Sequence, residues 1–166
     1  MTDAPDPTTT PSGELLTFAR EPAGETPASE LIAAMVAEVS DLYGGRIEGE
    51  GLPTARPEEL VAPYGACVVG RLDGHAVTVG VVKRLDDGVA EIKRMYVAPE
   101  GRSRGIARSL LTALEAAARD LGYERVRLDT GADQPHAKKL YLSAGYAEIA
   151  DYNGNPFASF WAEKRL

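Results

Sequence analysis

Three arginines lie around a single turn in the second half of the chain. The turn reads Val97-Ala98-Pro99-Glu100-Gly101-Arg102-Ser103-Arg104-Gly105-Ile106-Ala107, and Arg108 follows it. It links a strand-like run to an amphipathic helical pattern, so the first N–H groups of that helix lack intrahelical partners and lie at the positive end of its dipole. Phosphate is the usual anion at such a position. The arginines favour a ligand that bears more than one phosphate; the alternative is a surface helix with solvated arginines.

Two motifs resemble those of the GNAT superfamily of N-acetyltransferases. Arg102-x-x-Gly105-x-Ala107 matches the family signature Q/R-x-x-G-x-G/A, and the preceding strand ends Met95-Tyr96-Val97. Gln134-Pro135-His136-Ala137-Lys138-Lys139-Leu140-Tyr141, followed by Gly145-Tyr146, resembles the family's N-x-x-A-x-x-L-Y-x-x-x-G-F/Y helix. Gln134 stands where many members have Asn, so no role is carried over to it. The resemblance spans about residues 14–166, whereas the P-loop and dinucleotide-binding fingerprints are absent.

The resemblance implies acetyl-CoA as a co-substrate, bound in a cleft where the strand of residues 89–97 splays from the next one. By family position, backbone groups of Met95 and Val97 would pair with the pantetheine arm. The N–H groups of Arg102 to Ala107 would take the pyrophosphate, and the N–H of Met95 would stabilise the oxyanion. The expected coenzyme-binding residues are Met95, Tyr96, Val97, Arg102, Ser103, Arg104, Gly105, Ile106, Ala107 and Arg108, and no metal is expected.

Acetyl transfer to an amine also needs groups that move protons. An alkyl amine with a pKa of ~10 arrives protonated at neutral pH, so a carboxylate near the acceptor must take its proton directly or through water. Glu91 matches the family's glutamate base by its place relative to the turn; alternatively it pairs with a cation across the sheet. Asp129, at the end of a strand, is the second candidate and could instead cap a turn. Tyr141 lies where the family places the hydroxyl that protonates departing coenzyme A; otherwise it packs its ring. Glu91 and Tyr141 are the predicted catalytic residues.

Two adjacent cations, Lys93 and Arg94, are unusual in a central strand. They would either contact a carboxylate of the acceptor, which favours an amino-acid-like substrate, or form an exposed face with one side chain reaching the rim. Cys67 lies in an apolar run with no histidine nearby in the pattern. That setting is typical of a small core residue and not of a nucleophile.

Apolar periodicity and turn residues predict the elements that must position these groups. The predicted elements, in order, are a strand at Leu15–Ala19, a helix from Pro27 to Gly44-Gly45, a loop or short helix near Pro57–Leu60, strands at Gly65–Leu72, Ala76–Leu85 and Val89–Val97, a helix from Ile106 to Leu121, a strand at Arg125–Leu128, a helix from Pro135 to about Ala144, and strands at Tyr146–Ala150 and Phe157–Glu163.

This order predicts an α/β (α+β) fold with a mixed, mostly antiparallel sheet of about six to seven strands flanked by about four helices. Residues 1–13 lack core-forming side chains and are expected to form a disordered tail. Residues 14–166 are expected to form a single GNAT-like domain, since 166 residues suit one core.

Charge and composition exclude several classes of protein. The net charge of −7 and the lack of a basic run argue against nucleic-acid binding. No apolar run reaches the ~20 residues of a membrane helix, and no signal-peptide pattern opens the chain. The single cysteine excludes an internal disulfide and suits a reducing cytoplasm, while two histidines disfavour a multi-histidine metal site.

The sequence therefore predicts a cytoplasmic acetyl-CoA-dependent N-acetyltransferase that acts on a primary amine of a small molecule by direct attack in a ternary complex. A homodimer is left open. One alternative is an acyl-CoA-binding regulatory module without turnover, and another is a transferase that modifies a protein lysine or N-terminus. A small-molecule enzyme should close its acceptor site with residues 40–64 and the loop near Asp151–Pro156.

Overall fold

A computed structural model describes residues 7–45, 47, 52 and 54–166 of the chain. The strands are β1 (Thr8–Thr9), β2 (Leu15–Arg20), β3 (Ala66–Leu72), β4 (His75–Asp86), β5 (Val89–Val97), β6 (Arg125–Thr130), β7 (Ala147–Ile149) and β8 (Phe160–Arg165). The helices are α1 (Ala28–Leu42), α2 (Ile106–Asp120) and α3 (Pro135–Ser143), with single 3₁₀ turns at Pro57–Glu59 and Pro99–Gly101.

The strands form one sheet in the order β1-β2-β3-β4-β5-β6-β8-β7. Strands β2 to β5 form an antiparallel meander, in which Asp73 and Gly74 make the tight β3–β4 turn with positive φ angles of 46° and 85°. The chain then crosses over through α2 and returns as β6, which runs parallel to β5. This crossover joins the meander to a second antiparallel unit made of β6, β8 and β7.

Helices cover both faces of the sheet. On one face, α2 buries Ile106, Leu110 and Leu114 against apolar side chains that include Val82 and Ile92. On the other face, α1 buries a smaller cluster that includes Leu31, Ile32, Val79 and Val81. Cys67 belongs to this second cluster and is 1% exposed, and burial raises the pKa of its thiol to about 12. The core role predicted for Cys67 is therefore confirmed.

The predicted fold class is confirmed, and the structure adds detail at its edges. The described residues hold eight strands and three α-helices, where the sequence predicted about six to seven strands and about four helices. Thr8–Thr9 adds a short strand, and the segment near Pro57–Leu60 makes only a 3₁₀ turn. β8 begins at Phe160 and not Phe157, since the Asn155 side chain accepts a hydrogen bond from the backbone N–H of Phe157 and holds a turn there. β6 extends to Thr130 because it pairs with β8 along its length.

Part of the expected N-terminal tail belongs to the sheet. Thr8 and Thr9 pair with Leu16 and Leu15 of β2, whereas residues 1–6 lie outside the described part of the chain. Within the described residues, none of the helices combines the length and apolarity that crossing a bilayer requires.

Packing of α2 on the sheet should dominate stability. Leu114 is fully buried, and Gly80 of β4 leaves space for it, since a Cβ at Gly80 would lie 2.6 Å from Leu114 Cδ1. We expect Leu114→Ala to lower the free energy of unfolding by about 2–5 kcal/mol, because it removes buried methyl groups and leaves a cavity. Urea denaturation measures the change. The matched control, Leu142→Ala on the exposed side of α3, should change stability by less than about 0.5 kcal/mol; an equal loss in both variants would contradict the packing assignment.

Candidate active site

The site lies where two parallel strands part. Only Val89–Glu91 of β5 pair with Arg125–Arg127 of β6, and β5 continues to Val97 beside β4 alone. A cavity of about 180 Å³ lies at this divergence, walled by β5, the end of β6, α1 and α3. The parted strands therefore give the cavity walls from both faces of the sheet.

The two faces bring different side chains to this cavity. Ile92 and Tyr141 belong to the core cluster that packs under α2, so they approach from that side. Lys93 lies opposite Val81, which packs under α1, and alternation along the strand turns it to the α1 side. Asp129 follows Leu128 of the α2 cluster, so it also points to the α1 side. Tyr141 thus approaches the cavity from the α2 side of the sheet, and Asp129 and Lys93 approach it from the α1 side.

A bulge in β5 turns a second cation into the same space. Val79 and Val81 pair with Tyr96 and Lys93, so one residue of β4 faces two of β5, and Arg94 adopts φ = 53°. A left-handed conformation at a non-glycine residue costs about 1–3 kcal/mol and is retained where the surroundings enforce it. One Arg94 N–H lies 3.4 Å from the Thr54 hydroxyl, and both residues line the cavity. The bulge thus lets two consecutive cations share one wall.

Tyr141 projects from α3 into the cavity and is 7% exposed. Its hydroxyl donates a weak hydrogen bond to Met95 Sδ at 3.7 Å. Burial, with a smaller contribution from the negative charge of Asp129, raises the pKa of the phenol well above its usual value. The hydroxyl therefore stays protonated through the neutral range and can act as a proton donor.

The Asp129 carboxylate is held by amides from the loop between β7 and β8. Asn153 Nδ2 donates to Asp129 Oδ2 at 2.6 Å, and Asn155 Nδ2 lies 3.3 Å from each Asp129 oxygen. Asn153 is itself oriented, because its Oδ1 accepts a hydrogen bond from Trp161 Nε1 at 3.0 Å. The loop therefore fixes Asp129 in one orientation at the cavity wall.

Glu91 lies behind this network and not on the cavity wall. It is 4% exposed, and its Oε2 accepts hydrogen bonds from the Tyr152 hydroxyl at 2.6 Å and from Asn153 Nδ2 at 3.2 Å. Its Oε1 lies 3.6 Å from Lys93 Nζ. Burial, together with the negative charge of Glu91, raises the pKa of the Tyr152 phenol. The structure thus brings Tyr141 and Asp129 to the cavity, whereas Glu91 reaches it only through Asn153 and Lys93.

The arginine-rich turn presents its backbone to the surface. Ser103 and Gly105 have positive φ angles of 64° and 75°, and Gly105 precedes the first residue of α2. Within the described residues, no backbone carbonyl accepts a hydrogen bond from the N–H groups of residues 103–108. Open space surrounds Gly105, since a Cβ there would have no neighbour within 4 Å. Successive N–H groups in this conformation form an anion-binding concavity.

The arginine side chains of this turn bind other parts of the protein. Arg102 makes two 2.8 Å hydrogen bonds to the Glu38 carboxylate of α1, which raises the pKa of its guanidinium, and its Nε donates to the Val97 carbonyl at 3.0 Å. Arg104 pairs with Glu14, and Arg108 donates to the Ser143 hydroxyl. The predicted phosphate contacts therefore fall to the backbone N–H groups first.

Met95, Tyr96 and Val97, the β5 residues expected to bind the coenzyme, differ in whether their groups already have hydrogen-bond partners within the protein. The Tyr96 carbonyl accepts a hydrogen bond from the Thr78 hydroxyl at 2.6 Å, and the Val97 carbonyl is engaged by Arg102. Met95 lines the cavity in the part of β5 that has no β6 partner. Ile106, the first residue of α2, is buried in the core cluster, and Ala107 beside it is half-buried.

Sequence reasoning missed several residues that shape the site. Asn153 and Asn155 lie in a loop that the sequence predicts only to cover the acceptor site, and an Asn-Gly-Asn sequence by itself indicates no more than a turn. Tyr43 follows α1 and lines the cavity with a buried hydroxyl that has no hydrogen-bond partner among the described residues. Burial raises the pKa of Tyr43. Within the described part of the chain, no group of three or more His, Cys, Asp or Glu side chains could hold a metal ion.

Comparison with known proteins identifies the family to which the chain belongs. The model of the acetyltransferase (GNAT) family matches residues 32–146, and the chain belongs to that family. An IAA acetyltransferase of Azospirillum brasilense is 28% identical over 142 residues, which cover 83% of this chain and 93% of that protein.

Solved structures agree with this assignment. A Klebsiella pneumoniae protein described as an acyl-CoA N-acyltransferase has a TM-score of 0.71 and 29% identity, over 91% of this chain and 97% of that one. A GNAT family acetyltransferase from Elizabethkingia anophelis, solved with acetyl-CoA bound, has a TM-score of 0.65 and 16% identity, over 91% of this chain and 98% of that one. At this identity, the second comparison shows the shared fold.

The backbone at Gly105 should decide phosphate binding. We expect Gly105→Ala to cost roughly 1–2 kcal/mol of stability through its positive φ and to weaken acetyl-CoA binding about tenfold, because the N–H groups beside it turn away from the anion. Calorimetric titration with acetyl-CoA measures the affinity.

The opposite end of the same helix provides a matched control. Gly122 also has a positive φ, 91°, and open space around it. Gly122→Ala should therefore lose similar stability and keep its affinity for acetyl-CoA. Equal affinities for the two variants would contradict an anion site at residues 103–108.

Proposed function

We propose that the chain is an acetyl-CoA-dependent N-acetyltransferase that acts on a primary amine of a small molecule by direct attack in a ternary complex. The observation that carries this proposal is the pairing of a protonated phenol and a carboxylate at one cavity. Tyr141 reaches the cavity from α3, and Asp129 reaches it from the end of β6. A donor for the leaving group and an acceptor for the amine proton are the two groups that this reaction requires.

The residues beside the cavity fit acetyl-CoA. The backbone N–H groups of residues 103–108 and the dipole of α2 suit the pyrophosphate. The stretch of β5 beyond Glu91 has no β6 partner, so its backbone groups can pair with the amide-bearing pantetheine arm as an added strand would. When bound, acetyl-CoA supplies the thioester that the amine attacks.

The proposed reaction divides its proton transfers between two side chains. Asp129 binds the acceptor's ammonium group and takes its proton, directly or through water, for release to solvent. The neutral amine forms a C–N bond to the acetyl carbon while the C–S bond breaks. The departing thiolate, whose conjugate thiol has a pKa of ~8.5, takes a proton from the Tyr141 hydroxyl. The acetylated nitrogen loses its second proton as the amide forms, and that proton returns to Tyr141 through water. Glu91 is a positioning residue in this scheme, because it holds Asn153 and Lys93 from behind.

The two segments that contribute to the cavity lining favour a small acceptor. Tyr43, Ile47 and Thr54 line it from the segment after α1, and Asn155 and Phe157 line it from the loop before β8. These are the two segments expected to close over a small-molecule acceptor. A protein lysine or N-terminus would instead need an open groove.

A coenzyme A release assay with a panel of primary amines tests the function, with mass spectrometry of the products. We expect wild-type protein to acetylate at least one small amine and Tyr141→Phe to lose about 10²–10⁴-fold in turnover with its affinity for acetyl-CoA retained, since only the proton donor is removed. Tyr146→Phe is the control and should keep its turnover. The Tyr146 ring centroid lies 5.9 Å from that of Tyr141, but the Tyr146 hydroxyl donates a hydrogen bond to the buried Glu115. Binding without release of coenzyme A would indicate a regulatory module, and acetylation of proteins alone would indicate a protein-modifying enzyme.

The pH dependence of turnover distinguishes the roles of Asp129 and Glu91. We expect Asp129→Asn to lower turnover about 10²-fold near neutral pH, with a deficit that shrinks as the pH approaches the amine's own pKa, because solvent then supplies the neutral amine. Glu91→Gln should show a smaller deficit that is the same at every pH. Initial rates between pH 6 and pH 10 with one amine measure both. A pH-dependent deficit in Glu91→Gln alone would make Glu91 the proton acceptor, and parallel profiles for both variants would leave a water chain.

A further inference from the structure

The cavity carries opposite charges on facing walls. Lys93 and Arg94 line it from β5, and Asp129 lines it from the end of β6. The cations stand out because the chain as a whole has a net charge of −7. The cavity is therefore dipolar, with a positive wall and a negative wall.

The positive wall is built by the fold and is not a solvated surface. Adjacent residues of a regular strand point to opposite faces, but the bulge in β5 and the left-handed conformation of Arg94 turn both cations to one side. Lys83 of β4, which lies opposite Glu91 in register, donates to the Thr54 carbonyl at 2.9 Å, while Arg94 approaches the Thr54 hydroxyl. The Arg94 guanidinium thus reaches the α1 side of the sheet, and the Lys93 side chain there is only 12% exposed.

The internal partners of Lys93 leave it able to bind an anion. Its ion pair with Glu91 has an N–O distance of 3.6 Å, which is longer than a hydrogen bond, and the same Glu91 carboxylate is hydrogen-bonded by Tyr152 and Asn153. An ammonium group has three donors. A carboxylate in the cavity could therefore bind Lys93 without displacing Glu91.

We propose that the acceptor is an amino acid or a closely related amine that carries a free carboxylate. This inference rests on the proposed function and names its substrate class. The acceptor carboxylate binds Lys93 and Arg94, and its ammonium group binds Asp129. Asp129 then takes the ammonium proton, the C–N bond forms as the C–S bond breaks, and the thiolate is protonated by Tyr141. The second proton of the acetylated nitrogen returns to Tyr141 through water as the amide forms. An arginine fork is well suited to a carboxylate because it can donate two parallel hydrogen bonds.

The buried hydroxyl of Tyr43 supports a polar acceptor. It lies at the cavity wall close to Gly131, where a Cβ would come within 1.6 Å of it, and it has no hydrogen-bond partner among the described residues. A buried hydroxyl without a partner is unfavourable unless water or a ligand satisfies it. A polar acceptor can supply that partner.

Matched acceptors test the substrate class. For several side chains, the free amino acid is compared with its amide and with the corresponding decarboxylated amine, for example L-leucine, L-leucinamide and 3-methylbutylamine. The measurement is coenzyme A release with acetyl-CoA as donor. We expect kcat/KM for the preferred free amino acid to exceed that of its two analogues by about 100-fold, since the analogues lack the carboxylate that Lys93 and Arg94 are proposed to bind.

Substitution of the cavity cations tests whether they cause the preference for an acceptor with a free carboxylate. Arg94→Gln should raise the KM of the free amino acid by about 10- to 100-fold and should change the KM of the decarboxylated amine by a much smaller factor. Arg94→Lys should recover part of that loss, because it keeps the charge without the fork. Lys83→Gln, which removes a cation of the same face outside the cavity wall, is the control and should keep the preference. Urea denaturation checks that each variant folds.

The outcomes separate the two proposals. If the amide or the decarboxylated amine is acetylated as well as the free amino acid, the substrate class is wrong and the N-acetyltransferase activity stands. If the free amino acid is preferred but Arg94→Gln and Lys93→Gln keep the preference, the assigned binding site is wrong. If no amine is acetylated, the proposed function fails and the substrate class fails with it.

Discussion

The divergence of β5 from β6 is the constraint on which the rest of the structure depends. Three residue pairs hold the two strands together, and beyond them one edge of β5 has no neighbouring strand among the residues that the structure describes. Backbone groups inside a protein must find partners, so a parted pair of strands is stable only where a ligand or water can complete it. The antiparallel pairing with β4 keeps β5 in place on its other edge. The same divergence supplies the cavity and exposes it to both faces of the sheet.

The two carboxylates at this divergence accept hydrogen bonds from a neutral donor, in addition to the 3.6 Å ion pair between Glu91 and Lys93. Glu91 and Asp129 are both acidic, and Asn153 donates to each of them from a single amide nitrogen. An amide offsets the repulsion between two carboxylates without adding a charge that would compete for the substrate. A lysine at the same place would neutralise Asp129 and remove its attraction for an ammonium group. The amide is therefore suited to a carboxylate that must remain available.

Much of the fold follows from local patterns in the sequence, because its hairpins and helices depend on neighbouring residues. The Asp73-Gly74 turn, the apolar face of α2 and the glycine-containing turn before it were all predictable on that basis. The candidate site was predictable only in part. Tyr141 and Asp129 fall at motif or strand-end positions, whereas the burial of Glu91 depends on Tyr152, 61 positions away in the chain.

The bulge at Arg94 illustrates a second limit of sequence patterns. Ile92 and Met95 both pack on the α2 side although three positions separate them, because the bulge shifts the alternation of β5 by one residue. A two-residue period read from the sequence would place Met95 on the opposite face. Only the pairing with β4 reveals the extra residue, and with it the orientation of the two cations.

The arginines of the turn before α2 show why a backbone anion site at this turn would not need them as its main ligands. Arg102 and Arg104 are paired with acidic side chains of α1 and of the segment before β2, so phosphates would have to compete with Glu38 and Glu14 for them. Long side chains also lose rotamer entropy when they bind a ligand. Backbone N–H groups at the start of α2 are already fixed by the helix and by Gly105, so they bind without that cost. The arginine pairs join the turn to α1 and to the N-terminal segment, which keeps the backbone donors aligned beside the parted strands.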